Sequence, residues 1–539
     1  MAITGIYGKK APNQMVGYIA NPCEGLNEYV VPMRVGDNQL SDCRDVLAYR
    51  NSAIMFDQRT ALTAINSAVI GYTLETIADT NTSGQDVVYS LMANGSSGYI
   101  EAVNVPLGTN TQYSISGFTL GSPSANHYGS CLYATDAAKY VVFCQSNEQK
   151  LYFFNGTSVS SVALQFYPKK IVSHAMRVFA IDTGNKIWWS KAGAFTSATD
   201  WYGSSSTTAV MEDAGLAPIP AERTLADLAV LGNNLYVFGS QNIYLFSGYS
   251  YDNFSIQVAI ADLGVKSDAS IKYVTQTGKN VYFMSTYQST GNAWLRGETV
   301  QDIFEYNGSD YPVIINRQVI DNGTVTNGML GSADIAKYGL THLASDEMYL
   351  YVYKRSHTSS DALDTTLYVF DIKYRTWWKQ SGFNDNQASL GDTFQSFYIP
   401  SQSRDTSYAV VNNSTTSWQV FNDVGLYGSI YPFITTKAYA TLPSDKETLT
   451  SVIFQIKAVS GTDLHYTLYG SKTVDQNDFF IIKDAPHFIA NGEIQLIEIF
   501  LPVSLVSGTT AYRLKLQISG GKCYLYNIER RYRVRGRSR

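Results

Sequence analysis

The chain has 539 residues, a formal net charge of −5 and a sequence pI near 5.7. Charged residues make up 16% and aromatics 13%, where ordinary soluble chains are roughly a quarter charged, so Ser, Thr, Asn, Gly and Tyr must supply most of the surface polarity. That length admits two or three domains with their own cores, and the mild acidity argues against a protein that grips nucleic acid over its whole surface.

Residues 1–60 read as an extended lead-in segment that packs on the C-terminal domain. Its first ten residues contain no apolar h-region, and no run of about 18 apolar residues occurs in the chain. Synthesis in a cytosol is therefore expected, with no membrane partner. The stretch from Gly36 to Ile54 reads as a loop, a short turn or helix, and a hairpin. Up to about residue 130 the pairing of strands is irregular, with Gly-, Ser-, Thr- and Asn-rich loops such as Asn81–Gly84 and Asn94–Gly98, and the strands of a first blade are expected there.

From residue 140 a pair of short strands recurs six times. The pairs are Tyr140–Phe143 with Leu151–Gly156, Arg177–Ile181 with Ile187–Ser190, Leu235–Phe238 with Ile243–Gly248, Val281–Met284 with Ile303–Gly308, Met348–Tyr353 with Leu367–Asp371, and Tyr408–Val411 with Trp418–Asn422. Most close on an aromatic-(Asn/Ser/Asp)-Gly turn or a relative of it, and glycines such as Gly156 and Gly308 supply the positive φ that a tight turn requires. Closing strands return at intervals of roughly 35–65 residues, the range of folds whose repeat is a small antiparallel sheet. Since a lone hairpin is marginal in water, the pattern predicts an all-β six-bladed β-propeller over residues 61–434. Insertions at 285–302 and 354–366 read as polar hairpin tips that project from one face and meet partners. Sequon-like triplets such as Asn155–Thr157 and Asn322–Thr324 read as hairpin turns.

From residue 435 to 539 longer alternating strands predict a C-terminal β-sandwich. It ends on Arg530, Arg531, Arg533, Arg535, Arg537 and Arg539. The last five alternate, which on an extended strand puts their guanidinium groups on one face. DNA phosphate, an acidic patch on a neighbouring subunit, and plain solvent are all compatible with that stripe.

No catalytic, cofactor or metal site is read from the sequence. Six histidines are scattered, with no HExxH motif. Five cysteines (Cys23, Cys43, Cys131, Cys144, Cys523) are odd in number and lack CxxC spacing, so buried, reduced thiols are expected. No Gly-x-Ser-x-Gly, Walker or GxGxxG element occurs. Glycosidases place two carboxylates about a scissile bond; Asp200, Asp227, Asp262, Glu305 and Asp371 lie on blade edges, where carboxylates usually cap turns. In the doublets Trp188-Trp189 and Trp377-Trp378 neighbouring side chains point to opposite faces, so one Trp of each is assigned to the core and the other to the space between blades.

Arg177–Gly193, followed by Thr199-Asp-Trp201, resembles a blade of the podovirus tail nozzle family, also called tail tubular protein B or packaged-DNA stabilisation protein. Leu235–Gly248 resembles the next blade of that family, and Gln39–Val46 is similar to its N-terminal "leucine, polar, Arg-Asn-Val" segment. The basic end, Arg531 to Arg539, departs from the family's pattern. The resemblance implies a non-enzymatic virion protein in a phage tail: a homohexameric ring below the portal and adaptor that extends the DNA channel, retains packaged DNA, touches the duplex transiently and without sequence preference, and carries tail fibres or spikes. Two alternatives stay open on the residues alone, a carbohydrate-active propeller (glycan-binding or glycosidase) and a receptor-binding tail adhesin.

Overall fold

The computed structural model describes the chain between residues 14 and 535, apart from connecting segments of which the longest are 28–38, 203–212, 286–301, 320–339, 356–366, 381–409 and 423–431. Among the described residues the one helical element is a 3-10 turn, Ala198–Asp200. Both predicted insertions fall largely outside the described residues, as does Asn322–Thr324.

Six antiparallel four-stranded sheets follow one another in chain order, each a simple meander. They span Tyr72–Ile115, Tyr128–Ala163, Pro168–Pro218, Leu225–Ile260, Val274–Ile314 and Leu340–Gln380. A seventh sheet joins Val410–Asn413 and Thr416–Asn422 to Thr60–Ile65, a strand from the other end of the chain. The six recurring pairs thus lie in the second to seventh sheets, and Tyr72–Ile115 adds one more sheet than they predict. Its long hairpin, Asp86–Asn94 with Ser97–Asn104, carries charged and amide residues in place of the aromatic runs.

The sheets stack face to face in a propeller-like order. In the second sheet Val142, Cys144, Leu151 and Phe153 enter a layer shared with Val178, Trp188 and Trp201 of the third. The alternating residues Val141, Phe143, Tyr152 and Phe154 enter a layer shared with Leu91, Ile100 and Phe118 of the first. A further layer joins Phe179, Trp189 and Leu235 across the third and fourth sheets. Strands buried on both faces read as continuous apolar runs, since alternation would leave one face polar. The Trp doublet assignment changes accordingly. Trp188 stacks on Phe166 at 4.3 Å and 12°, while Trp189 packs against Phe254 at 5.3 Å on the other side of the sheet. Both fill spaces between sheets, because each sheet has such a space on either side. Trp377 and Trp378 are likewise both fully buried.

Carboxylates pin three of the hairpin turns. Asp182 accepts from the N–H groups of Gly184 and Lys186 and from Trp188 Nε1, each at 2.8 Å. Glu222 accepts from Asn242 N at 2.8 Å and Tyr244 OH at 3.1 Å, and Glu148 from the hydroxyl of Tyr152. In each case an aromatic that fills an inter-sheet layer has its polar end satisfied at the rim.

Two seven-stranded sheets complete the chain. One runs Val46–Tyr49, Ala53–Phe56, Cys523–Arg535, Lys446–Ala458, Gln495–Phe500; the other Leu40–Arg44, Phe433–Thr436, Ala511–Ser519, Asp463–Ser471, Phe480–Asp484. Ile54, Val452, Phe454 and Leu525 of the first share one apolar cluster with Cys43, Ile434, Leu468 and Leu516 of the second. Strands from both chain ends therefore build this unit. Leu40–Arg44 is a strand, bulged against Phe433–Thr436, where a turn or helix was predicted; its partner lies almost four hundred residues away in sequence. The unit meets the sixth sheet through Asp45 N to Lys379 O at 2.9 Å and Lys379 Nζ to Asp42 at 3.4 Å.

Trp188→Ala would empty the layer between the second and third sheets and strand Asp182 without its indole partner. The expected cost is about 3–5 kcal/mol, read from the urea midpoint at unchanged slope; a loss below about 1 kcal/mol would show that this layer is not close-packed.

Candidate functional site

The first strands of the first six sheets line a cavity of about 250 Å³ on the axis of the sheet array. Its polar lining includes Glu75, Ser130, Lys170, Asp227, Lys272 and Thr275. The first and fifth sheets meet there: Lys272 Nζ stands 3.9 Å from Glu75 Oε1, which also accepts from Ser130 Oγ at 3.3 Å. Thr275 and Ser345 bridge the fifth and sixth sheets at 2.8 Å.

Three β-bulges put charge into this cavity. Registers shift between Thr73 and Glu75, between Pro168 and Lys170, and between Leu225 and Asp227. In each innermost strand the residue just past the bulge is the charged one. A bulge inserts one unpaired residue and re-aims the next side chain while the remaining strand keeps its register. The inserted residues Leu74 and Ala226 stay buried in the apolar packing, and Lys169 donates to the carbonyl of Leu225 in the neighbouring sheet.

The electrostatics of the cavity are set by burial. Desolvation raises the pKa of Asp227, against Lys170, the N–H of Leu228 and Lys272, which lower it. His127, beside the same wall, is pushed down to about 3, first by burial and then by Lys169 and Lys170. Lys170 is only 9% exposed, and among the described residues its ammonium has no hydrogen bond or ion pair.

The other carboxylates weighed from sequence have local duties. Asp200 closes the capping box of the 3-10 turn with Ser197. Glu305 receives Asn280, Tyr282 and Arg375, Asp371 receives the N–H of Tyr374, and Asp262 occupies a left-handed position at φ 58°. Only Asp227 reaches the axis. Lys170 and Lys272 carried a signal that the reading passed over, namely a charge set against the apolar core of an innermost strand.

The arginine stripe is placed in part. Arg530 to Arg535 belong to Cys523–Arg535, an interior strand paired with Lys446–Ala458 on one side and with Gln14–Ile19 and Ala53–Phe56 on the other. Arg531 is bound to Glu498 at 3.0 Å and Glu529 at 2.9 Å, and Arg533 is exposed. Arg530 turns to the opposite face, 3.5 Å from the centroid of Tyr439, and donates to Tyr512 OH at 2.6 Å. The side chain of Arg535, and all of Arg537 and Arg539, lie outside the described residues. Described cysteines Cys43, Cys131, Cys144 and Cys523 are buried. Among the described residues no three His, Cys, Asp or Glu gather as a metal site.

The motif from Arg177 to Trp201 is internal scaffolding of the third sheet. Arg177, 2% exposed, donates to Ser190 O at 3.0 Å and pairs with Asp213. Trp201 donates to Phe195 O at 3.0 Å and closes the layer beside Phe166.

No protein-family model matches the chain, and no curated protein does. Among solved structures it is similar to a chain in a crystal structure of the mitotic checkpoint complex, at 10% identity and TM-score 0.39, covering 70% of this chain and 100% of that one. It is also similar to a chain in a crystal structure of BBS1N in complex with ARL6DN, at 9% identity and TM-score 0.38, covering 68% and 97% respectively. Likeness at this level carries no argument about activity, and the propeller-like order rests on the pairing and packing above.

Because His127 titrates near 6.5 when unfolded and near 3 when folded, the unfolded chain binds the extra proton between those values. Its contribution to stability is therefore complete above about pH 6.5 and is lost as pH falls toward 3. His127→Gln is expected to flatten the fall in urea midpoint between pH 6.5 and 4 relative to the parent; parallel profiles would count against a neutral, buried imidazole.

Proposed function

We propose that this chain is a structural subunit of a short-tailed phage tail, a nozzle-type protein that assembles into a homohexameric ring beneath the portal and adaptor. The observation that carries the reading is the segment Arg177–Gly193 with Thr199-Asp-Trp201, whose resemblance to a nozzle blade coincides with the residues that lock the third sheet together. Leu235–Gly248 and Gln39–Val46 support it. In this reading the chain is not an enzyme. Seven blades over residues 60–422, closed by the pairing of Thr60–Ile65 with Thr416–Asn422, form the body; the two-sheet unit from residues 14–56 and 433–535 forms the platform.

The ring extends the DNA channel, retains the packaged genome and anchors fibres or spikes in the virion tail after synthesis in the host cytoplasm. Low charge and abundant tyrosine suit a surface spent on neighbouring subunits. Net acidity lets DNA pass, since each phosphate neutralised by a Lys or Arg adds affinity and salt dependence. Among the described stripe residues Arg533 is the one open to a neighbour or to phosphate, because Arg531 is already compensated by two glutamates.

Native mass spectrometry with portal and adaptor, and cryo-EM of the parent particle, test the proposal: rings of about six copies are expected, and a chain that stays monomeric with both partners present would end it. Arg533→Glu is expected to keep the parent's thermal midpoint and to weaken ring assembly or genome retention. Full, DNA-filled particles carrying that change would remove the role assigned to Arg533. Deleting residues 531–539 is the poorer test, because it would cut into a paired interior strand.

A further inference from the structure

We propose that the axial cavity is a binding site for a small monoanionic polyhydroxy compound, a sugar acid, whose carboxylate sits on Lys170 and whose hydroxyls reach Asp227, Glu75 and Ser130. The site is separate from the tail reading and does not depend on it.

The first observation is the set of three bulges. Separate innermost strands each break register by one residue immediately before Glu75, Lys170 or Asp227. A bulge loses ladder pairing locally, and bulges concentrate where a side chain must be aimed at a site. Three such bulges converge on one cavity, and each turns a charged side chain into it.

The second observation is the ammonium of Lys170. Lys170 is nine-tenths buried as a residue and lines the cavity, and its ammonium has neither ion pair nor hydrogen bond among the described residues. Its charge acts across the cavity on Asp227, whose pKa it lowers, which leaves the ammonium free to take an anionic group. Asp227 lines the same space and accepts the N–H of Leu228 at 2.8 Å, yet it makes no salt bridge with Lys170. A cation and a carboxylate held apart across a cavity describe a ligand with an anionic end and hydrogen-bond donors.

Size and charge narrow the class. A volume of about 250 Å³ falls just below the ~300–1,000 Å³ of drug-sized pockets, which suits a single sugar ring. Phosphate esters carry about −1.5 to −2 charges and would face both Glu75 and Asp227, so a singly charged carboxylate fits better. Hydroxyl groups match the remaining lining, since Glu75 and Asp227 accept and Ser130 and Thr275 both accept and donate.

Isothermal titration of the full chain with D-glucuronate, D-glucose, acetate and inorganic phosphate tests the proposal. Glucuronate is expected to bind in the millimolar range or tighter, about ten-fold better than the other three, and Lys170→Met to weaken it by about ten-fold or more. Lys272→Met, which alters a half-exposed side chain, is expected to weaken it several-fold and serves if the Lys170 variant fails to fold. Absence of glucuronate binding at about 10 mM, glucose binding equally well, acetate or phosphate binding equally well, or a folded Lys170→Met protein that binds unchanged would each overturn the assignment.

Discussion

Burial of both sheet faces, as in the second and third sheets, is the constraint on which the rest of the molecule depends. Within the second sheet, successive residues of one strand enter two different apolar layers, Val142 and Cys144 on one side, Val141 and Phe143 on the other. A sheet so built has no water-facing side and no stable existence alone. Stability therefore belongs to neighbours, and a lost side chain in one layer is felt by two sheets. Polar groups are driven to the rims, where Asp182, Glu222 and Glu148 bind the hairpin turns and satisfy the buried aromatics beneath them.

The same constraint explains why three of the four charged residues lining the axial cavity, Glu75, Lys170 and Asp227, arrive through bulges, while the fourth, Lys272, stands just before its strand. A strand committed to apolar layers on both faces cannot turn one residue toward the axis by slipping, because a slip of one position would flip every side chain along it. Inserting a single residue changes the aim locally. Leu74 and Ala226 take up the slack inside the packing while Glu75 and Asp227 turn to the cavity. The third strand inserts a lysine, and Lys169 escapes an unpaired burial by donating to the carbonyl of Leu225 in the next sheet, while Lys170 turns to the cavity.

What could be read from the sequence follows from how local each signal is. The six aromatic hairpins are legible because strand, turn and partner strand lie within a few dozen residues. The sheet Tyr72–Ile115 is legible only as first-blade strands somewhere before residue 130, because its long hairpin carries Asp86, Ser90, Glu101 and Asn104 in place of aromatic runs. Thr60–Ile65 finds its partner only in Thr416–Asn422, a pairing with no local mark. Leu40–Arg44 misleads for the same reason, since its strand character comes from Phe433–Thr436. In the arginine stripe the alternation was visible, and so was Glu529 two residues from Arg531, but the neighbours that make it an interior strand, and the second compensating glutamate, come from residues 14–19, 446–458 and 498. Bulges are less legible still, being properties of a pair of strands.

These placements also bear on where DNA would run if the tail reading holds. The innermost strands of six sheets converge on the axial cavity of about 250 Å³, so the axis of one subunit is occupied by its own lining. In the tail reading proposed above the DNA channel is the symmetry axis of the ring, between copies, and the groups relevant to DNA are those on a subunit's flank. On the two-sheet unit, Arg533 stands exposed at the end of a strand whose preceding charges are already paired. An exposed arginine on each subunit's flank, repeated around a ring of acidic chains, would hold a polyanion weakly and at a salt-sensitive strength, which is the balance the proposed tail role needs to retain a genome and still release it.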